Sequence, residues 1–275
     1  MYLKLLDLHT HIDKYPETEI KQILDRANRV GVAGAILAGT TVKSSNKCVA
    51  LANADDRLFA SVGIHPMEIP ITDMESHIQA ITELVLTSNV VAISEIGLDK
   101  MLGAPDFKKQ EDIFRAHIQL AKTTNLPIIY HSRESYPYIL DVLEDEEAYK
   151  VGGAAHYFQG DVSTAFRCID SGFFISIAKP VLRIPQLQEV VSKIPLENIL
   201  IETDSFPQPF KKNRKTWTEP RHLVDIVEKI ATIKGITTTE VSIQMHCNLM
   251  NLFKDKYGAM DKILNSHPVN PVEFD

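Results

Sequence analysis

The sequence is poor in the features that usually mark a chain for a specialised environment. It has only three cysteines, Cys48, Cys168 and Cys247, scattered and odd in number. That pattern indicates neither a disulfide framework nor a CxxC metal site, and a reduced, cytoplasmic setting is the simplest expectation. No window reaches the roughly 18 uninterrupted apolar residues that a membrane helix needs. The opening MYLKLLDLH is too short, and too soon interrupted by acid, to read as a secretory signal. Positive charge is not in surplus either: 29 Lys and Arg stand against 36 Asp and Glu, a net −7. This argues against a broad basic nucleic-acid-binding face. It does not exclude a nucleic-acid substrate, because divalent cations inside a cleft supply positive charge that a formal sum ignores. Repeats, low-complexity tracts and linkers are missing, and nothing calls for an obligatory protein partner.

What is present is an alternation. Short apolar runs read as strands near 4–9, 34–39, 58–65, 90–97, 127–132, 153–158, 173–177 and 198–203. Between most of them lie helical patterns, at 17–30, 74–87, 107–124, 136–147, 161–170 and 186–193, with two more at 219–234 and 238–254. In 107–124, Ile113, Phe114, Ile118 and Ala121 recur at helical spacing. Eight β-rich runs separated by helices indicate a parallel sheet with crossover helices. Eight also closes a (β/α)8 barrel of typical length. A doubly wound open sheet shares the alternation. One α/β domain over 1–275 is expected, a TIM barrel with C-terminal helices and a tail from about 255.

The first run, LLDLHTHIDKYP, interleaves Leu6, Leu8 and Ile12 with Asp7, His9, His11 and Asp13. Residues two apart in a strand share a face, so an apolar outer face and an ionisable inner face are expected. In a barrel, chemistry gathers at the C-terminal ends of the strands. There the chain sets His9 and His11, His65, Glu95 with Asp99 just beyond, His131, His156 and Asp204. Four histidines (His9, His11, His131, His156) with Glu95 and Asp204 offer no thiolate. Imidazole with carboxylate suits Zn, Mn, Fe, Ni or Co in an open catalytic site. Six ligands exceed what one ion can use while holding water and substrate, and two ions bridged by a carboxylate use them comfortably. His77, His117, His222, His246 and His267 fall in helical stretches or the tail and read as packed or solvated. Met245, Met250 and Phe253 read as a helix face against the barrel.

These residues carry a resemblance. DLHTHID, GIHP, AISEIGLD, PIIYHSRES, HYFQGD, FISI and ILIETDSFP occur in the order found in the TatD-like metal-dependent hydrolases, a branch of the amidohydrolase-type barrels. The segment TEPRHLVDIVEKIATIKGITTTEVSIQMHCNLMNLF resembles that family's closing helices, so the likeness runs to about residue 254. It implies a role for each matching position. His9, His11 and Asp204 would hold a first divalent ion (Zn, Mg, Mn, Ni or Fe). Glu95 would bridge to a second, completed by His131 and His156. Asp204 would also be the general base for the water nucleophile, and His65 and Arg133 would contact a substrate phosphate. Asp7, Asp13, Asp99 and Glu202 would orient ligands or loops.

The chain departs from the family pattern at Lys100, at Ser205-Phe206-Pro207 and at Trp217-Thr218, all in rim loops. The run FKKNRKTW (210–217) holds Lys211, Lys212, Arg214 and Lys215. It reads either as a solvated loop or as a grip on a polyphosphate backbone, with Phe210 or Trp217 as a stacking face. The resemblance implies a deoxyribonuclease acting on DNA. The alternative is a D-aminoacyl-tRNA deacylase, or another ester or amide hydrolase, on the same metals. A non-catalytic binding protein on a retained barrel is the remaining reading.

Overall fold

The structure, a computed structural model, describes residues 4–266. Eight parallel strands pair in chain order: β1 (Leu5–Thr10), β2 (Val32–Ala38), β3 (Leu58–Val62), β4 (Val90–Asp99), β5 (Ile128–Arg133), β6 (Gly153–Ala155), β7 (Phe173–Ile177) and β8 (Ile199–Ile201). Seven helices cross between them: α1 (Glu17–Asn28), α2 (Val42–Ala54), α3 (Met74–Val85), α4 (Phe107–Thr124), α5 (Tyr136–Asp145), α6 (Val162–Asp170) and α7 (Pro185–Lys193). After β8 come α8 (Leu223–Lys234), α9 (Thr238–Phe253) and α10 (Tyr257–Ser266).

Backbone just past β8 closes the sheet. Thr10 bridges in parallel to Ser205. The His11 N–H donates to Ser205 O at 2.8 Å, and the Asp204 N–H donates to His9 O at 3.0 Å. Asp7 adds a side-chain link: its Oδ1 accepts the Thr203 N–H at 2.8 Å and its Oδ2 accepts the Thr203 hydroxyl. The fold is therefore the (β/α)8 barrel and not the open sheet.

Two apolar layers hold it. One packs the outer side of the strands against the helices, with Ile23, Cys48, Ile81, Phe114, Leu140 and Ile226 among its members. The other draws on strands all around the barrel, through Leu6, Leu8, Phe59, Val91, Ile129 and Leu200. It is completed by Leu249, Leu252 and Phe253 of α9 and by Tyr257, Met260 and Leu264 of α10. The stretch expected to be a tail from about residue 255 is thus a packed helix as far as Ser266; His267 lies outside the described residues. Met250 is an exception to the helix face read at 245–253: it is 47% exposed, because the buried stripe follows Met245, Leu249 and Leu252.

The apolar outer face expected of β1 is not found. Leu6 and Leu8 join the inner layer while Ile12 joins the outer one. Leu6 and Leu8 keep the two-residue period but face inward, opposite to the expected apolar outer face, and Ile12 lies past the strand's end in the 3-10 turn Ile12–Lys14. Helix α2 carries no strong apolar stripe, and the sequence reading passed over it. A capping box defines its start, with Thr41 Oγ1 accepting the Ser44 N–H at 3.1 Å.

His117 is one of the packed histidines. It is fully buried in α4, its Nδ1 lies 2.7 Å from Ile113 O, and its Nε2 has no partner. Burial lowers its pKa to about 4. The unfolded chain takes up a proton near pH 6.5 and the folded one does not, so this residue costs stability as pH falls from 6.5 toward 4. The full loss is about 3 kcal/mol. His117→Met is expected to move the acid-unfolding midpoint to lower pH while leaving stability at pH 8 within about 1.5 kcal/mol. Equal acid midpoints for both proteins would remove His117 as a cause.

Candidate metal centre

Each ligand-type side chain reaches the mouth of the barrel for a local reason. His9 and His11 flank the closing bridge at Thr10, and that closure also fixes Asp204 beside them. Asp204 has φ 49°, a left-handed conformation that Asp tolerates better than most residues. Glu95 does not end its strand, as the sequence suggested. It lies within β4, where the pairing with β5 shifts register between Ile93 and Ile96, and its N–H bonds Gly39 O at 2.9 Å. Gly97 is required by close approach: a Cβ there would stand 2.0 Å from the His131 carbonyl oxygen. His65 lies in the loop after β3, and His156 and Asp204 follow the short β6 and β8.

Glu95 is the hub. Its Oε2 lies 3.6 Å from His9 Nε2 and 3.3 Å from His11 Nε2. Its Oε1 lies 3.3 Å from His65 Nε2, 3.2 Å from His131 Nδ1 and 3.5 Å from His156 Nε2. Asp204 Oδ1 is 3.5 Å from His11 Nε2, and the Nε2 atoms of His9 and His11 are 3.4 Å apart. Three groups bring potential ligand atoms within 4.8 Å of one another among the described residues: His9–His11–Asp204, His9–Glu95–His156 and His65–Glu95–His131.

The carboxylates behind the histidines set which nitrogen faces the centre. Glu202 Oε1 lies 2.8 Å from His156 Nδ1 and accepts the Tyr157 N–H at 2.6 Å, while its Oε2 accepts the Ser176 hydroxyl at 2.6 Å. Asp99 Oδ2 lies 2.9 Å from His131 Nε2, and its Oδ1 accepts the Met101 N–H at 2.8 Å. With those nitrogens as donors, His156 Nε2 and His131 Nδ1 present lone pairs to the centre. His65 is the reverse case. Its Nδ1 accepts the Met67 N–H at 3.1 Å, so the neutral ring carries its proton on Nε2 and donates toward Glu95. That makes His65 a hydrogen-bond donor to an oxygen rather than a ligand, despite its place in one of the three groups.

Lone pairs and carboxylate oxygens crowded at 3.2–3.6 Å repel unless positive charge lies between them. Ligand atoms about 2.0–2.1 Å from a tetrahedral ion stand roughly 3.3–3.4 Å apart. The donor set therefore fits divalent cations. Without them, protons do part of that work. Burial opposes charge on His156, but Glu202 and Glu95 outweigh it and raise its pKa to about 10. Burial and the neighbouring His156 push His9 down to about 3. Burial disfavours ionised Glu95, yet His65, His11 and His131 hold its carboxyl well below the usual range. Burial raises Asp204 to about 6 against the pull of His156 and His11.

The centre opens into a cleft of about 1050 Å³ lined by His65, Glu95, His131, Arg133, His156 and Asp204, and also by Lys14, Met67, Tyr157 and Phe206. Arg133 is exposed at its rim with no side-chain ion pair among the described residues. Asp7 ties Thr203 and does not touch a ligand imidazole nitrogen. Asp13 is buried, but its Oδ1 has no partner, and only its backbone oxygen is engaged, by Lys47 Nζ at 2.6 Å. Ser176, Thr203 and Gln110 escaped the sequence reading. Gln110 holds the Asp99 backbone, its Oε1 accepting that N–H at 2.8 Å and its Nε2 donating to that carbonyl at 3.0 Å. Only Ser176 carried a signal, as a polar residue within the apolar run FFISI; Gln110 and Thr203 stand among charged residues.

The basic run after β8 divides. Arg214 is structural: it bonds Glu19 at 2.8 Å and Glu219 at 2.9 Å, and stacks on Tyr15 and Trp217. Trp217 packs tilted on Tyr15, and its N–H donates to Lys211 O at 3.2 Å, so it offers no free stacking face. Phe210, Lys212 and Lys215 are exposed. Lys100 lies over the Tyr138 ring at 4.1 Å.

A barrel whose strand ends gather imidazoles around a shared carboxylate is the build of a metal-dependent hydrolase. The chain belongs to the TatD family: the family model described as TatD related DNase matches residues 6–254. It is 32% identical over 256 residues to a Bacillus subtilis (strain 168) protein called uncharacterized metal-dependent hydrolase YabD, covering 91% of this chain and 99% of that one. Among solved structures, the TatD homologue YjjV of Escherichia coli K12 superposes with a TM-score of 0.84 at 25% identity, covering 92% of this chain and 99% of the other. A TatD family hydrolase from Entamoeba histolytica gives 0.82 at 22% identity over 92% and 99%, which speaks to the fold alone.

Glu202→Gln replaces an oxygen facing His156 Nδ1, Tyr157 N–H or Ser176 with an amide that cannot accept. It is expected to weaken divalent-cation binding by about 10- to 100-fold, read by calorimetric titration of the metal-free protein. Unchanged affinity would show that His156 needs no orienting carboxylate.

Proposed function

We propose that this protein is a divalent-cation-dependent phosphodiesterase that cleaves DNA, with two cations sharing Glu95. The observation that carries the reading is the position of Glu95, whose two oxygens meet different sets of imidazoles. His9, His11 and Asp204 would hold one cation with Glu95, and His131 and His156 the other. Such ions supply Lewis acidity toward a phosphoryl oxygen and toward water at neutral pH. The chain's own groups do the rest. Asp204 Oδ1 accepts the proton of the attacking water. The planar fork of Arg133 pairs with the phosphate oxygens, and His65 joins it by turning its Nε2–H from Glu95 Oε1, 3.3 Å away, to the substrate. Glu202 and Asp99 keep His156 and His131 oriented.

The match to the family described as TatD related DNase supports DNA as the substrate. Chelation is expected to abolish cleavage of single-stranded or frayed DNA, and added Mn, Mg or Zn to restore it. Parallel assays on bis(4-nitrophenyl) phosphate and on D-aminoacyl-tRNA discriminate the alternatives. A metal-loaded preparation inert on both diesters but active on D-aminoacyl-tRNA would overturn the phosphodiesterase reading in favour of the carboxylic-ester one.

A further inference from the structure

Beside the cleft, and sharing Tyr157, Asp204 and Phe206 with it, lies a second pocket of about 320 Å³. Its charged wall holds three cations, half-buried Lys179 and exposed Arg183 from the segment after β7 and half-buried Lys211 from the loop after β8, against one acid, Asp204. None of the three has a carboxylate partner among the described residues. Lys211 Nζ is steadied by neutral oxygen, donating to Gln208 Oε1 at 2.7 Å. Among the described residues no hydrogen bond or ion pair engages the ammonium of Lys179 or the guanidinium of Arg183. Lys179 is also half-buried, and burial together with Lys211, Arg221 and Arg183 lowers its pKa against the single opposing pull of Asp225. Elsewhere partly enclosed cations are engaged by an oxygen, Arg26 by Glu219, Arg57 by Asp55 and Asp25, Lys234 by the Ile194 carbonyl and Lys256 by the Val90 carbonyl. A partly enclosed ammonium facing other cations is costly unless an anion completes the group.

We infer that this pocket binds the phosphate next to the scissile one, so that Lys179, Arg183 and Lys211 select a polynucleotide strand over an isolated diester. The inference rests on the phosphodiesterase reading for its substrate class and on the cationic pocket for its place. The strand would lie with the scissile phosphate between the metal centre and Arg133, and its neighbour past Tyr157. This pocket is distinct from the exposed Lys212 and Lys215, which contribute no wall to it.

The test compares the wild type with the Lys179→Gln/Arg183→Gln double variant on a short single-stranded oligodeoxynucleotide and on bis(4-nitrophenyl) phosphate. The ratio of kcat/KM on the oligonucleotide to kcat/KM on the small diester is expected to fall about tenfold or more. The dependence of log KM on log salt should flatten by about 0.7 for each lost contact. An unchanged ratio, whether both rates fall together or neither falls, overturns the inference. Should the wild type cleave neither substrate, the function reading fails, and binding still decides the pocket. Fluorescence anisotropy of a labelled strand on the metal-free protein should then weaken tenfold in the double variant, and equal affinity refutes the subsite.

Discussion

Glu95→Gln protein is expected to lose activity on DNA by about 10³-fold or more, the scale of removing a group on which the chemical step depends. Its cation content should fall at both positions. The reason is geometric, since among the described residues no other side chain has one oxygen among His9 and His11 and the other among His131 and His156. Glutamine fills the same volume but carries no charge, and one arm of its amide turns N–H donors toward whichever ligands it faces. Metal analysis after dialysis distinguishes the possibilities. Loss of a single ion, with the other held at wild-type affinity, would mean that Glu95 serves one cation and that the shared carboxylate is wrong. Some stability should be lost with the charge, because His65, His11 and His131 hold Glu95 ionised and removing one member of a buried charge group is costly, so circular dichroism must show a folded protein before the metal count is read.

The second large effect is expected at Asp204. Asp204→Asn should lower kcat by about 10²- to 10⁴-fold, the range for losing a positioned general base, with a much smaller change in KM. Here the backbone supplies a control. Asparagine accepts φ 49° about as readily as aspartate, so the thermal midpoint should barely move. Asp204→Val is equally inactive in this account but adds strain of about 1–3 kcal/mol. That variant should melt several degrees lower. Full activity in Asp204→Asn would sink the assignment of Asp204 as base, and a melting shift shared by both variants would point to a scaffolding role instead.

Much of this was legible in the chain, for identifiable reasons. The strands carry β-branched runs bounded by turns, and their count announced the barrel. The ligand types stood at the ends of those runs, because a barrel leaves its side chains open at one mouth. What escaped was set by departures from regularity. Strand β4 runs on to Asp99 and so holds Glu95 inside it, and β1 stops at Thr10, so Ile12 falls in a 3-10 turn and leaves the face of Leu6 and Leu8. Helix α2 has too even a mixture of Ala, Ser and Asn to show a stripe. Partners such as Ser176 and Thr203 are remote in sequence from what they hold, Glu202 and Asp7, and spacing alone does not join them. The basic loop FKKNRKTW splits because Arg214 finds Glu19 and Glu219, Lys211 finds Gln208, and Lys212 and Lys215 stay exposed.

The seam at Thr10 and Ser205 has a temporal side. A ribosome delivers His9 and His11 almost two hundred residues before the partner that locks them, since Asp7 and Thr203 are 196 positions apart. Until that late stretch docks, the early imidazoles can have Glu95 but not Asp204 beside them, and their strand is paired along one edge only. Cation capture at full affinity thereby reports that the cylinder has been stitched shut, and a nascent barrel stalled before its last staves holds its ions loosely.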